Sequence, residues 1–233
     1  MIPNILDISD NPILNGSDNP ILNGEIRIAN KIIPQCKVVF DVGSSDDLYY
    51  HSMNPKCKFY LFEPGIKPYA CLLDKICKIR NEGKEEHIES WLMGLGESQK
   101  VVKYYPKIGS IYNREIIQND GIYYDIVIYA LDKFCELRNV NHIDFLKMDV
   151  EGNEYNVLLG GRGIILNNTD FVQFEYGGTY QDSQLTLVKM FEFFDGWFIY
   201  KIESDGIVIQ NEPVEDYVYA NFLACKCEFN ENE

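Results

Sequence analysis

The sequence predicts an α/β fold in which helices cover both faces of a mostly parallel sheet. Short apolar runs alternate along the chain with stretches whose apolar residues have helical spacing, as in successive βα units. Several of these runs end in an acidic residue or a glycine. With 233 residues, of which 46% are hydrophobic, the chain is long enough for one large domain with a substantial core.

The order of the apolar runs gives the expected order of the elements. Five runs are predicted to be core strands: 37–43, 58–64, 87–94, 143–149 and 170–176. Residues 100–106 and 125–132 are expected to form further strands or a hairpin, and two more strand-like runs close the chain. After the fifth core strand, we expect a helix that starts near Asp182 and buries one apolar face: Leu185, Val188, Phe191 and Phe194.

The first two dozen residues differ in composition from the rest of the chain. DNPILNGS at 10–17 is followed by DNPILNG at 18–24, and both Asn-Pro and Asn-Gly favour turns. We therefore expect residues 1–24 to be an appendage and residues 25–233 to form the domain. The repeated Ile-Leu pairs either cover a surface, such as that of a second subunit in a homo-oligomer, or come from a duplication without a chemical role.

Charge and composition narrow the classes of function. The net charge of −15 disfavours nucleic acids and anionic membranes as partners. No apolar run approaches the roughly 20 residues that cross a bilayer, and the amino terminus lacks the basic region of a secretory signal. Seven cysteines, an odd number, argue against a complete disulfide framework. We therefore expect a cytoplasmic protein with reduced thiols.

Residues at the ends of the first two strands predict a site for a nucleoside-containing cofactor. The strand at 38–42 is followed by Gly43, which allows a sharp turn whose amide groups can contact a ligand. The stretch lacks the G-x-G-x-x-G pattern of dinucleotide sites, so a cofactor with an amino-acid end fits better. Glu63 ends the next strand, where an acid can accept hydrogen bonds from ribose hydroxyls, although such acids are also ordinary surface residues.

The stretch IDFLKMDVEGNEYNVLLGG at 143–161 resembles the hallmark segment of the FkbM-type methyltransferases. The resemblance covers roughly residues 36–225 and includes VVFDVG, FYLFEP, GLGE, ALDKF, VQFEYGG and NFLA. It implies a Rossmann-like class I methyltransferase fold with a mostly parallel seven-stranded sheet. It also implies S-adenosylmethionine as the methyl donor and O-methylation of a small hydroxylated acceptor, such as a sugar or a sugar nucleotide.

On this basis we expect the cofactor to contact residues at the ends of the first three strands: Asp41, Gly43, Ser44, Asp47, Glu63, Pro64 and Gly94. One position departs from the family pattern, because Asp47 stands where members commonly have a glycine. A bulkier loop would narrow the cofactor site, or Asp46 or Asp47 would itself bind the ammonium of the methionine end.

Asp149 and Glu175 are the candidate catalytic residues, because they end strands that we expect to be adjacent. One of them would accept the acceptor's proton, or the two would share a divalent metal that acidifies the hydroxyl. We favour Asp149 as a metal-free base, since no third acid has a clear place as a ligand. Lys147 is expected not to contribute, because it precedes Asp149 by two residues and lies deeper on the same face. Alternatively, Asp149 only orders its loop.

Ser110 and Arg114 are expected near the acceptor, because the resemblance brings their loop to that side of the site. An arginine could grip a phosphate or a pair of hydroxyls there, or could simply be exposed. Two other classes of function stay open. A binding module without catalysis would explain Asp47, and an NAD-dependent oxidoreductase is disfavoured by the missing phosphate-binding glycines.

Overall fold

The structure is a computed structural model that describes residues 23–83, 87–112 and 121–230. Within these ranges the strands are β1 (Val38–Val42), β2 (Lys58–Phe62), β3 (Ile88–Trp91), β4 (Gly94–Gly96), β5 (Lys100–Tyr104), β6 (Tyr124–Ala130), β7 (Ile143–Met148), β8 (Thr169–Tyr176), β9 (Phe198–Ile202), β10 (Ile207–Ile209) and β11 (Ala220–Cys225). The helices are α1 (Glu25–Ile32), α2 (Ile66–Asn81), α3 (Leu131–Arg138), α4 (Glu154–Gly160), α5 (Arg162–Asn168), α6 (Thr179–Ser183) and α7 (Leu187–Phe193). All five predicted core strands are present.

The larger sheet contains eight strands in the order β10-β9-β11-β8-β7-β1-β2-β3. Neighbouring strands from β8 to β3 pair in parallel, whereas β11 is antiparallel to both β8 and β9. The seven strands expected from the sequence are one too few. The additional strand, β10, has three residues and forms a short hairpin with β9, so its apolar run was too brief to be recognised.

Helices cover both faces of this sheet, as predicted, and the core is divided accordingly. Phe40 packs on the face covered by α3, α4 and α7, whereas its neighbour Val39 packs on the face of α1 and α2. Successive strand residues point to opposite faces, so each central strand needs apolar residues at most of its positions. No helix among the described residues is both long and apolar enough to span a bilayer.

A second, three-stranded sheet lies outside the main one in the order β4-β6-β5. Residues 100–106 and 125–132 were expected to form further strands or a hairpin, and β5 and β6 do pair antiparallel, but β4 also joins β6 in parallel. Two of the three residues of β4 are glycines, which hide a strand from an analysis based on apolar runs. Gly160 of α4 approaches this strand so closely that an added Cβ would lie 1.9 Å from the carbonyl oxygen of Gly96.

The helix predicted from Asp182 onward is interrupted. Gln184 has a left-handed conformation, with φ of 55°, and Thr186 then caps a new helix by accepting a hydrogen bond from the Lys189 amide. As a result, the buried residues of α7 are Leu187, Met190 and Phe193, and Val188 is exposed. The turn shifts the helical register, which the apolar spacing alone did not indicate.

Candidate active site

Two adjacent cavities lie beyond the carboxyl ends of the parallel strands, where ligands bind in folds of this class. The first cavity, of about 510 Å³, is lined among others by Glu63, Pro64 and Gly94. The second, of about 440 Å³, is lined among others by Asp41, Ser44, Asp47, Lys147 and Glu175. Four residues line both cavities: Gly43, Ser45, Asp149 and Glu151. An elongated ligand that passes these four residues would occupy both spaces.

The loop after β1 runs tightly against the loop after β7. Gly43 has φ of +81°, and a Cβ at this position would lie 1.7 Å from the carbonyl oxygen of Asp149. The amides of Gly43 and Ser44 both donate to the carbonyl oxygen of Phe62, at 2.9 and 3.1 Å. A glycine is therefore required here for both backbone conformation and space.

The Glu63 carboxylate is held in a fixed orientation at the end of β2. It accepts hydrogen bonds from the amides of Gly65 at 2.6 Å and Ser45 at 2.9 Å, one on each oxygen. Burial raises the pKa of Glu63 to about 6, against the opposite effect of these two hydrogen bonds. Each carboxylate oxygen has a second acceptor position, so the group can still bind hydroxyls of a ligand in the first cavity.

A row of polar residues crosses the middle of the main sheet. Asp41 of β1, Lys147 of β7 and Gln173 of β8 are in register on adjacent strands. Lys147 Nζ lies 3.2 Å from Asp149 Oδ2 and 3.8 Å from Asp41 Oδ1. Burial disfavours the charge of Lys147, but Asp149 and Asp41 together hold its pKa well above the ordinary value.

The expectation that Lys147 does not contribute was therefore wrong. Residues 147 and 149 point to the same face of the strand, and the four-carbon side chain is long enough to reach the next carboxylate on that face. A signal for this contact was present in the sequence, since a lysine in a core strand is almost never buried without a charged partner.

Glu25 of α1 is a further residue of the site that the sequence analysis did not identify. Its side chain lines the second cavity and is 5% exposed. It accepts hydrogen bonds from four neutral donors: Asn23 Nδ2, Asn221 Nδ2, Gln173 Nε2 and the Tyr50 hydroxyl. Burial raises the pKa of Glu25. Apart from Asn23, these partners come from distant parts of the chain, so no local pattern could indicate them.

Asp149 and Glu175 lie at neighbouring positions, as the sequence analysis expected for adjacent strands. Met148 of β7 pairs with Phe174 of β8, and the next residue of each strand lines the second cavity. Among the described residues, no hydrogen bond reaches the Glu175 carboxylate, whereas Asp149 is paired with Lys147. Burial, followed by repulsion from Asp149, raises the pKa of Glu175 well above its ordinary value.

The other expected site residues differ in their placement. Asp47 lines the second cavity, but its carboxylate contacts Lys75 Nζ of α2 at 2.7 Å. Ser110 is buried, and its hydroxyl donates to the carbonyl oxygen of Glu151 at 3.1 Å, so it orders the loop and lines neither cavity. Arg114 lies outside the described residues.

Within the described part of the chain, the three side chains close enough to form a preorganised metal site are His142, Asp144 and Asp170. They lie at the amino-terminal ends of β7 and β8, at the opposite edge of the sheet from the two cavities. His142 Nε2 contacts Asp170 Oδ2 at 2.9 Å, and Asp144 accepts hydrogen bonds from the amides of Lys37 and Val38. This cluster is therefore separate from Asp149 and Glu175.

Comparison with known proteins agrees with this geometry. The family model described as the methyltransferase FkbM domain matches residues 29–217. The chain belongs to the FkbM methyltransferase family. The predicted family is thus confirmed, and so is the Rossmann-like class I methyltransferase fold, apart from the eighth strand. No curated protein sequence matches the chain.

Among solved structures, this chain resembles that of a methyltransferase FkbM from Methylobacillus flagellatus KT, with 14% sequence identity and a TM-score of 0.54. The alignment covers 81% of this chain and 43% of that protein, so the chain spans less than half of its length. The METTL16 MTase domain is similar over 88% of this chain and 67% of its own, with 9% identity and a TM-score of 0.50.

Proposed function

We propose that this FkbM-family protein transfers a methyl group from S-adenosylmethionine to a hydroxyl group of a small acceptor, a sugar or a sugar nucleotide. The observation that carries the proposal is the pair of cavities joined at Gly43 and Asp149. A nucleoside in the first cavity and a methionine end in the second would bring the sulfur atom close to Asp149. The net charge of −15 supports a small acceptor rather than a nucleic acid.

The residues of both cavities fit this cofactor. In the first cavity, Glu63 offers acceptors for the ribose hydroxyls, and the apolar side chains of Ile126 and Ile128 line the space for the base. In the second cavity, Asp41 Oδ1 accepts no hydrogen bond within the described part of the chain and suits the ammonium of the methionine end. When bound, S-adenosylmethionine supplies an electrophilic methyl group.

The two carboxyl groups near the expected acceptor differ in their surroundings, which favours a division of roles. The ion pair with Lys147 holds the Asp149 carboxylate in a fixed position, where it can accept a hydrogen bond from the acceptor hydroxyl. Glu175 has a raised pKa and no hydrogen-bond partner among the described residues, which makes it the better proton acceptor. We therefore move the role of the base from Asp149 to Glu175.

The reaction balances with these groups alone. When bound, S-adenosylmethionine would supply the methyl carbon and take up the electron pair of the broken carbon–sulfur bond as a neutral thioether. The acceptor oxygen would form the new bond to that carbon, and Glu175 would take up the proton of the acceptor hydroxyl. Because Lys147 already offsets the charge of Asp149, the pair of carboxylates does not require a divalent metal for that purpose.

We also propose that the protein works in the cytoplasm. All seven cysteines are free, and Cys71, Cys77 and Cys227 are exposed. Exposed thiols that stay unpaired are typical of reducing compartments.

Calorimetric titration with S-adenosylmethionine, S-adenosylhomocysteine and NAD tests the cofactor. We expect the first two to bind and NAD not to bind. Glu63→Ala should weaken S-adenosylhomocysteine binding by roughly 1.5–3 kcal/mol, because charge-assisted hydrogen bonds are lost. The control is Glu136→Ala, which removes an exposed carboxylate of α3. An unchanged dissociation constant for Glu63→Ala would contradict the assigned cofactor site.

Turnover measured by mass spectrometry with a panel of sugars tests the roles of the two acids. Glu175→Gln should reduce kcat by about 10²–10⁴-fold, as expected when a general base is removed. Asp149→Asn should reduce it less. Activity that disappears with a chelator and returns with magnesium would refute the metal-free mechanism, and a larger loss in Asp149→Asn would return the role of base to Asp149.

A further inference from the structure

The second cavity, which we call the acceptor chamber, has an unequal distribution of charge. The described residues that line the acceptor chamber include one basic residue, Lys147, and six acidic residues. Asp47 is neutralised by Lys75 at the rim, and Glu151 lies between the two cavities. The four acids that are left are Glu25, Asp41, Asp149 and Glu175. With all of these groups ionised, the chamber has an excess of three negative charges.

Internal partners do not remove this excess. Lys147 contacts Asp41 and Asp149, but Glu25 forms no ion pair within the described part of the chain and is held by neutral donors only. Burial raises the pKa of Glu25, of Glu175 and, to about 6, of Asp41. Because all three pKa values are raised, the ionised form of each acid is disfavoured, and a further positive charge in the chamber would stabilise it.

Aromatic side chains line the same space. Tyr49, Tyr50 and Tyr219 are among the residues of the acceptor chamber. The faces of such rings attract ammonium groups, and rings combined with carboxylates form a common binding site for organic cations. The buried Oδ1 atom of Asp41 accepts no hydrogen bond within the described part of the chain and lies 3.8 Å from Lys147 Nζ, so it keeps an acceptor position for a ligand with positive charge.

The cofactor does not carry enough positive charge to neutralise the excess negative charge of the chamber. Its sulfonium and ammonium groups, less its carboxylate, give one net positive charge, so two of the three excess negative charges are left. A sugar nucleotide would add the negative charges of its diphosphate to this space. A hydroxylated amine would add a positive charge instead.

We propose that the acceptor carries an ammonium group beside the hydroxyl group that is methylated, so that the substrate class is amino sugars and related hydroxylated amines. This inference rests on the proposed function and chooses among its acceptors. The ammonium is anchored by the carboxylates and tyrosine rings of the acceptor chamber, and the hydroxyl lies next to Asp149 and Glu175. On this count of charges, a sugar nucleotide is expected not to bind.

The test compares matched pairs of ligands by calorimetry on the protein saturated with S-adenosylhomocysteine. Each hydroxylated amine, glucosamine and galactosamine among them, is paired with its N-acetyl derivative, which has the same skeleton without the charge. UDP-glucose is the anionic comparison. At least one amine should bind about tenfold or more tightly than its N-acetyl partner. Titrations in two buffers of different ionisation enthalpy should show that amine binding releases protons from the chamber.

Glu25→Gln provides the matched variant, because it removes a charge of the chamber at nearly constant volume. We expect it to weaken amine binding about tenfold and to leave the N-acetyl partner unchanged. Glu192→Gln removes an exposed charge of α7 and should change neither. If Glu25→Gln fails to fold, the matched-pair comparison on the unaltered protein still decides.

Three results would overturn the inference: N-acetyl or nucleotide sugars that bind as tightly as the amines, no binding by any amine, or product fragments that carry the methyl group on nitrogen. Failure of the proposed function looks different, since S-adenosylhomocysteine itself would not bind. The same titrations without S-adenosylhomocysteine then test the preference of the chamber for amines.

Discussion

Glu154, the first residue of α4, allows a test of the buried electrostatics that does not depend on the substrate. Its side chain is 0% exposed. Oε1 accepts a hydrogen bond from the Val150 amide at 2.9 Å, and Oε2 has no hydrogen-bond partner in the described ranges. Burial raises the pKa of Glu154 from 4.5 to about 8. The carboxyl group should therefore be protonated in the folded protein at neutral pH.

The sign of the pH dependence follows from linkage. Because the folded pKa lies above the unfolded one, the stabilisation is complete below pH 4.5 and is lost as the pH rises through about 8. At about 1.4 kcal/mol per pKa unit, this group alone should reduce the free energy of unfolding by roughly 3 kcal/mol between pH 5 and pH 8. Glutamine resembles the protonated acid, with an oxygen for the Val150 amide and an NH₂ group in place of the O–H.

Urea unfolding at pH 5, 6, 7 and 8 measures this difference. We expect the stability of Glu154→Gln to fall less with pH than that of the unaltered protein, so that the variant gains roughly 3 kcal/mol relative to it over this range. Glu136→Gln, at an exposed position of α3, should follow the unaltered protein. If the curves of Glu154→Gln and the unaltered protein are parallel, Glu154 is ionised in the fold and the reasoning fails.

Three further predictions follow from the contacts of the site. Gly43→Ala should abolish S-adenosylhomocysteine binding in calorimetry, because its Cβ would meet the carbonyl oxygen of Asp149. Gly83→Ala is the control, because Gly83 also has a positive φ, +71°, but no atom lies within 4 Å of the added Cβ, so that only backbone strain is introduced and binding should be kept. Lys147→Met should lower the free energy of unfolding, measured in urea, by about 3–5 kcal/mol at pH 8. The loss should be smaller at pH 5, where the carboxylates that lose their partner can bind protons. A protein that begins at Asn23 should still bind S-adenosylhomocysteine, because it keeps Asn23, the first described residue, which donates a hydrogen bond to Glu25 of the site. Lost binding would give the preceding repeat a role.

The parallel core of the fold could be predicted because each of its strands has a recognisable local sequence pattern. The strands β1, β2, β7 and β8 are mainly apolar runs with a polar residue or glycine at or next to the end, and this pattern also marks the edge of the sheet that carries the cavities. β4 and β10 have three residues each, so their pairing comes from tertiary contacts rather than from a local pattern.

The charges of the site were predicted less completely than its position. The positions of Asp41, Glu63, Asp149 and Glu175 could be predicted because these residues lie within one residue of the end of a strand. Glu25 could not, since its partner Gln173 is 148 residues away in the sequence. The pairing of Lys147 with Asp149 was within reach of the sequence, because their spacing of two residues places both on one face of β7.

Lys147 connects the stability of the fold with its proposed chemistry. Three central strands each place one polar side chain at the same level of the sheet, and the ammonium of Lys147 lies between two carboxylates on that level. Its single charge is shared by Asp41 and Asp149. Burial, followed by repulsion from Asp149, raises the pKa of Glu175, and Lys147 offsets this effect only in part. The two acids at the ends of adjacent strands therefore differ in their surroundings, since one is paired with a buried amine and the other is buried without a hydrogen bond to its carboxylate in the described part of the chain. This difference is the basis on which we propose different roles for them.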